Sequence, residues 1–165
     1  MQRSATGRIL ALVIRSGRFG YAAFELPAHL LDFGVSTFTS RAKARIRTQT
    51  LLTRFQPTSL VLSNGWSRRN SKWRKSISRM IHEQSRNASV PFTVISAREL
   101  RVYFYQHGKR NKYDFAVVAA TWFPDIQWKL QRKSRFYSPE PWKMTAVDAV
   151  ILGAVHLRLQ KLIPE

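Results

Sequence analysis

Three apolar runs open the chain, at about 8–14, 18–25 and 29–37, and only a few residues separate each from the next. Gly17 and Pro27 punctuate the two breaks. Connections this short suit antiparallel hairpins and leave no room for a crossover helix. A chain that begins so is committed to a sheet whose first three strands are neighbours, and the rest must cover it. Ser40 reads as the N-cap of a helix running to Phe55, with Pro57 ending it. Ser59-Leu60-Val61-Leu62 follows as a short buried strand. A second helix spans about 71–86, where Trp73, Ile77, Met80 and Ile81 fall on one apolar stripe and Lys72, Lys75 and Arg79 on another face. The helical spacing places Trp73 in the core. Pro91-Phe92-Thr93-Val94-Ile95 is the fifth strand, and Ser96 caps a short helix carrying Leu100 and Tyr103.

Beyond a polar break at 106–110, Asn111 with Asp114 three residues on is close to a capping box. Phe115, Val118, Ala119 and Trp122 form that helix's buried face, and Pro124 follows its end. Residues 125–142 read as irregular, basic and aromatic. The last helix covers about 143–160, with Val147, Ile151, Ala154 and Val155 facing inward. The predicted class is α/β: a mixed five-stranded sheet flanked by helices. With 165 residues, 44% of them apolar, the chain suits one compact domain over 1–165 and is not disordered as a whole.

Charge narrows the function. The chain has 28 Lys and Arg against 9 Asp and Glu, a net charge of +19. Such an excess opposes compaction unless a polyanion offsets it, and DNA or RNA is the expected partner. A membrane is not, because no apolar run approaches the roughly 20 residues of a spanning helix. The run 9–14 is too short for a signal-peptide core; residues 1–18, basic and acid-free, resemble a transit peptide but also read as the first strand. The chain has no cysteine, which excludes disulfides and thiolate metal sites and fits a reducing compartment, so a cytoplasmic location is expected.

The cations are unevenly placed. No acid lies between Asp32 and Glu83, while that stretch holds eleven cations: Arg41, Lys43, Arg45, Arg47, Arg54, Arg68, Arg69, Lys72, Arg74, Lys75 and Arg79. Arg41/Arg45 and Lys43/Arg47 are like-charge pairs four apart, each costing an isolated helix about 0.2–0.5 kcal/mol. A solvated helix face normally mixes signs; this one is read as a phosphate-binding surface. Lys112, Lys129, Arg132, Lys133 and Arg135 extend the basic set. Trp66 and Trp128 stand among these cations, open to base stacking or to packing. His29, His82, His107 and His156 show no ligand spacing, and there is no P-loop, dinucleotide fingerprint or Ser/His/Asp arrangement.

Ile9-Leu10-Ala11-Leu12-Val13 followed by Arg18-Phe19-Gly20-Tyr21-Ala22 resembles the opening of the RuvC-type Holliday junction resolvases, of the RNase H-like superfamily. Phe55-Gln56-Pro57-Thr58-Ser59-Leu60-Val61-Leu62 resembles their helix-Pro-strand entry, Gly108-Lys109-Arg110-Asn111-Lys112 their Gly/Lys loop, and Val147-Asp148-Ala149-Val150 the opening of their last helix. Order and spacing over roughly 8–158 carry the resemblance. It implies an RNase H-like sheet, a carboxylate cage for two Mg²⁺ ions that drive phosphodiester cleavage, branched DNA as a partner, and a homodimer. This chain departs from the acids of that cage: Val13 and Ser63 stand where the resemblance implies Asp and Glu, and Thr145 where a further Asp is common. Asp148 remains, with Glu140 as a neighbour. Asp148 also reads as an acid near a helix N-terminus, matched to the dipole.

The expected function is therefore nucleic-acid binding by a RuvC-like domain that has lost its catalysis, with no cofactor. The alternatives are a divergent Mg²⁺-dependent endonuclease using Asp148 and Glu140, and a basic structural protein of a nucleoprotein assembly. Val13→Asp, Ser63→Glu and Thr145→Asp together are expected to restore Mg²⁺ binding.

Overall fold

The computed structural model describes residues 7–63, 72–108, 112–129 and 144–160. β1 (Arg8–Arg15), β2 (Arg18–Glu25) and β3 (His29–Thr37) form an antiparallel meander. The turn between β1 and β2 is Ser16-Gly17, with Gly17 at φ 73°, a left-handed conformation that glycine adopts at little cost. α1 (Arg41–Phe55) then carries the chain to β4 (Ser59–Ser63), which lies parallel to β1. α2 (Lys72–Asn87) leads to β5 (Phe92–Val94), parallel to β4, so the sheet order is β3-β2-β1-β4-β5. α3 (Ala97–Gln106), α4 (Lys112–Trp122), a 3-10 turn (Pro124–Lys129) and α5 (Met144–Leu159) complete the described chain.

β1 is central and covered on both faces, which is why its sequence is an almost unbroken apolar run. Leu10, Leu12 and Ile14 enter one core with Leu51 and Leu52 of α1 and Ile77 and Ile81 of α2. Ile9, Ala11 and Val13 enter the other, with Val147, Val150 and Ile151 of α5 and Phe104 and Phe115 of α3 and α4. The period of two along the strand thus sorts the molecule into two layers.

Local signals end the helices where the sequence says they should. The Ser40 hydroxyl accepts the Lys43 N–H at 3.2 Å, and Gln56, at φ 45°, donates its N–H to the Leu52 carbonyl at 2.9 Å before Pro57. Ser96 and Glu99 close a full capping box on α3.

One expectation about burial is corrected and another is extended. Trp73 is 39% exposed, at the rim of the core with its ring 6.4 Å from that of Phe38. It sits in the first turn of α2, where a side chain has helical neighbours on one side only. On α5 the residues expected to face inward, Val147, Ile151, Ala154 and Val155, are buried, and so is every other residue from Met144 to Leu157. The sheet lies on one side of it and α3, α4 and the 3-10 turn on the other, and a helix covered all round must be apolar all round. Gly153 permits a close approach to β2, since a Cβ there would collide with the Phe24 ring. No helix among the described residues is long and apolar enough to cross a membrane.

Candidate functional site

The parallel and antiparallel registers bring three sequence positions into one row. Val13 is the Cα partner of Ser63 on β4 and of Gly20 on β2. By strand alternation all three face α5, and Val13 and Ser63 are buried. Gly20 is required here, because a Cβ at that position would collide with the Thr145 carbonyl. The missing side chain lets the first turn of α5 settle onto the row, so Thr145 lies over it.

One turn further along α5, the Asp148 side chain is fully buried and accepts a hydrogen bond from Arg15 at 3.0 Å. Arg15 is the strand residue two beyond Val13, on the same side of the sheet. Its guanidinium meets the need of a buried carboxylate for a paired, hydrogen-bonded cation. Arg18, the Cα partner of Arg15 across the hairpin, donates from Nε to the Thr145 hydroxyl at 3.0 Å. Val13 and Ser63 are thus paired, Thr145 lies against their row at Gly20, and Asp148 follows one turn along α5. Asp148 is the fifth residue of α5, not a first-turn acid, so Arg15 rather than the helix dipole explains it. Glu140 lies outside the described residues.

Sequence reasoning missed Arg15 and Arg18. The signal was present: two arginines flanking a two-residue turn must fall opposite each other in the hairpin. Arg74, already counted among the eleven cations, has a neighbour the sequence did not show. That α2 guanidinium is pushed below its ordinary range, first by partial burial and then by the like charge of Arg15.

The described residues of this row do not by themselves fit a divalent ion. The row offers one carboxylate, and it is hydrogen-bonded to a guanidinium; Val13 has no donor atom and Ser63 only a hydroxyl. No group of three or more His, Asp or Glu among the described residues is placed to hold a metal.

The basic face is separate and exposed. Arg41, Lys43, Arg45 and Arg47 on α1 and Lys72, Lys75 and Arg79 on α2 all reach solvent, and neither helix has an acid in its first turn. α1 and α2 pack side by side on one sheet face, tied by the Gln84 amide, which donates to the Arg45 carbonyl at 3.0 Å. A groove of about 390 Å³ runs between them, lined by Arg45, Ile46, Gln49, Gln84, Asn87 and Ala88. Arg54 is committed elsewhere: it pairs with Asp32 at 2.9 Å and lies 4.8 Å over the Phe55 ring. Lys112 opens α4 and Lys129 ends the 3-10 turn. Arg68, Arg69, Arg132, Lys133 and Arg135, with Trp66, lie outside the described residues.

No protein-family model and no curated protein matches the sequence. Solved structures do match the fold. Thermus thermophilus RuvC in complex with Holliday junction substrate is 13% identical, with a TM-score of 0.64 over 93% of this chain and 96% of that one. The yeast mitochondrial Holliday junction resolvase Ydc2 is 11% identical, with a TM-score of 0.64 over 95% and 80%. The fowlpox virus Holliday junction resolvase is 14% identical, with a TM-score of 0.58 over 92% and 99%. Identities this low establish architecture and nothing more: the chain has the mixed five-stranded sheet, flanked by helices, of the RuvC-type RNase H-like fold.

Proposed function

We propose that this protein binds nucleic acid, branched DNA in the first instance, through the basic face of α1 and α2, and that it does so without metal-dependent cleavage. The observation that carries the reading is the pair of adjacent helices whose seven exposed cations face no first-turn acid. A one-signed surface of this kind destabilises its own helices and is suited to a regular array of phosphates. That relatives in fold include a RuvC solved on Holliday junction substrate and a fowlpox resolvase solved on Holliday junction DNA supports DNA as the polyanion. The buried pairing of Asp148 with Arg15, and the side chains of Val13 and Ser63, favour binding over catalysis.

Fluorescence anisotropy with a labelled four-way junction and a linear duplex, across a salt series, tests this. Affinity is expected to fall steeply with salt. Lys72→Gln, Lys75→Gln and Arg79→Gln together should flatten log K against log[salt] by up to about 0.9 per lost phosphate contact on duplex DNA. An unchanged slope would show that this face is not the binding surface. Mg²⁺-dependent cleavage by the unmodified protein, abolished by Asp148→Asn, would establish the divergent-nuclease alternative instead.

A further inference from the structure

A smaller pocket lies on the other layer of the molecule, where α3, α4 and the end of α5 meet. Its volume is about 220 Å³, and it is lined by Tyr103, Phe104, His107, Val118, Trp122 and Arg158. Helical spacing builds it. Tyr103 and His107 are one turn apart on α3, and Val118 and Trp122 one turn apart on α4, so each pair shares a helix face. The walls are mostly ring and methyl surface, and none of the six residues is an acid. The one permanent charge is Arg158, in the last turn of α5, whose guanidinium carbon lies 4.2 Å over the Trp122 ring. Its Nε is enclosed and meets no acceptor, and among the described residues the guanidinium has no carboxylate partner. A half-buried cation balanced only by an indole face is short of an acceptor. A ring engages a guanidinium through its flat face and a carboxylate through its N–H edge, so the two do not compete. The exposed His107 imidazole donates from Nδ1 to the Tyr103 carbonyl at 2.7 Å and lies 4.6 Å from the Tyr103 ring, which fixes it at the rim.

We propose that this pocket is a binding site for a small single-ring aromatic carboxylate, its ring against Trp122, Tyr103 and Phe104 and its carboxylate on the Arg158 guanidinium. Size sets the ring count: an apolar cavity of about 150 Å³ holds one benzene, and a larger fused body with its own charge would not fit. Charge sets the anion: one guanidinium neutralises one carboxylate, whereas a strongly hydrated phosphate dianion would have to shed water against hydrocarbon walls. The site is independent of the nucleic-acid reading. α1 and α2 lie on the opposite face of the sheet, and about 15 Å of helix separates Arg158 from Asp148.

The test titrates the full chain with 4-fluorobenzoate, read by ¹⁹F NMR, in about 0.15 M NaCl so that loose attraction to the many surface cations is screened. Saturable binding is expected with a Kd of about 1 mM or tighter. The uncharged 4-fluorobenzyl alcohol should bind at least about tenfold more weakly, and acetate, which has the charge without the ring, should fail to displace 4-fluorobenzoate at equal concentration. Arg158→Gln should weaken 4-fluorobenzoate binding at least about tenfold, while Arg98→Gln, an equal charge change at an exposed position of α3, should change it by less than about twofold. Val118→Phe fills the pocket and keeps every cation; it should abolish binding, and it keeps the test open if Arg158→Gln melts early. Binding that does not saturate, that is equal for the alcohol, that survives Val118→Phe, or that falls equally in the two arginine variants would overturn the site.

Discussion

Arg15 changes what a single substitution at this site can do. From the sequence, Val13→Asp, Ser63→Glu and Thr145→Asp are the changes that would rebuild an acidic cage. In the structure, a carboxylate at position 13 would share its face of β1 with Arg15, which already holds Asp148 at 3.0 Å. A guanidinium within hydrogen-bond reach competes directly with a divalent ion for carboxylate oxygens. The triple variant is therefore expected to bind Mg²⁺ weakly, and the same variant with Arg15→Gln at least about tenfold more tightly, as measured by calorimetry. Equal affinity in the two proteins would show that Arg15 does not occupy the metal's place. Removing Arg15 alone is a poor experiment, because leaving a buried carboxylate without its cation costs about 3–5 kcal/mol.

At the scale of elements, α5 is where the sequence reading and the structure part most clearly. The positions expected to face inward do so, yet the helix is buried all round, His156 included. Burial lowers the His156 pKa below the ordinary 6.5. The unfolded chain, with the ordinary value, then binds the proton more readily than the folded one. Stability attributable to His156 is complete above about pH 6.5 and declines as pH falls from there toward the folded pKa. Urea unfolding at several pH values should show this slope in the wild type and a shallower one in His156→Gln; parallel curves would remove His156 as its source. The elements themselves were legible because each carries its own local signal: Ser40 and Pro57 for α1, the Ser96–Glu99 box for α3, Ser16-Gly17 for the first hairpin. The coverage of α5 was not, because it depends on α3 and α4, which are remote along the chain, coming to lie over the helix.

For the whole molecule, the net charge of +19 is a standing cost to compactness. Of its ion pairs, Arg15–Asp148 is buried, and Arg54–Asp32 and Arg8–Glu25 are exposed on at least one side. Screening shortens the range of self-repulsion, to about 10 Å at 0.1 M salt. The melting temperature is expected to rise as NaCl increases from low to moderate ionic strength, while DNA affinity falls over the same range. A melting temperature that drops with NaCl would mean that favourable ion pairs outweigh the repulsion. The sequence by itself determined the strand meander, the helix boundaries and the acid-free basic stretch, because spacing, caps and composition act within a few residues of where they are read. It also placed Val13, Ser63 and Asp148 as positions of interest. That Val13 pairs with Ser63, that Gly20 admits Thr145 onto their row, and that Arg15 binds the Asp148 carboxylate were decided by tertiary structure: register between strands 50 residues apart and the docking of α5 are long-range packing outcomes with no local sequence signature.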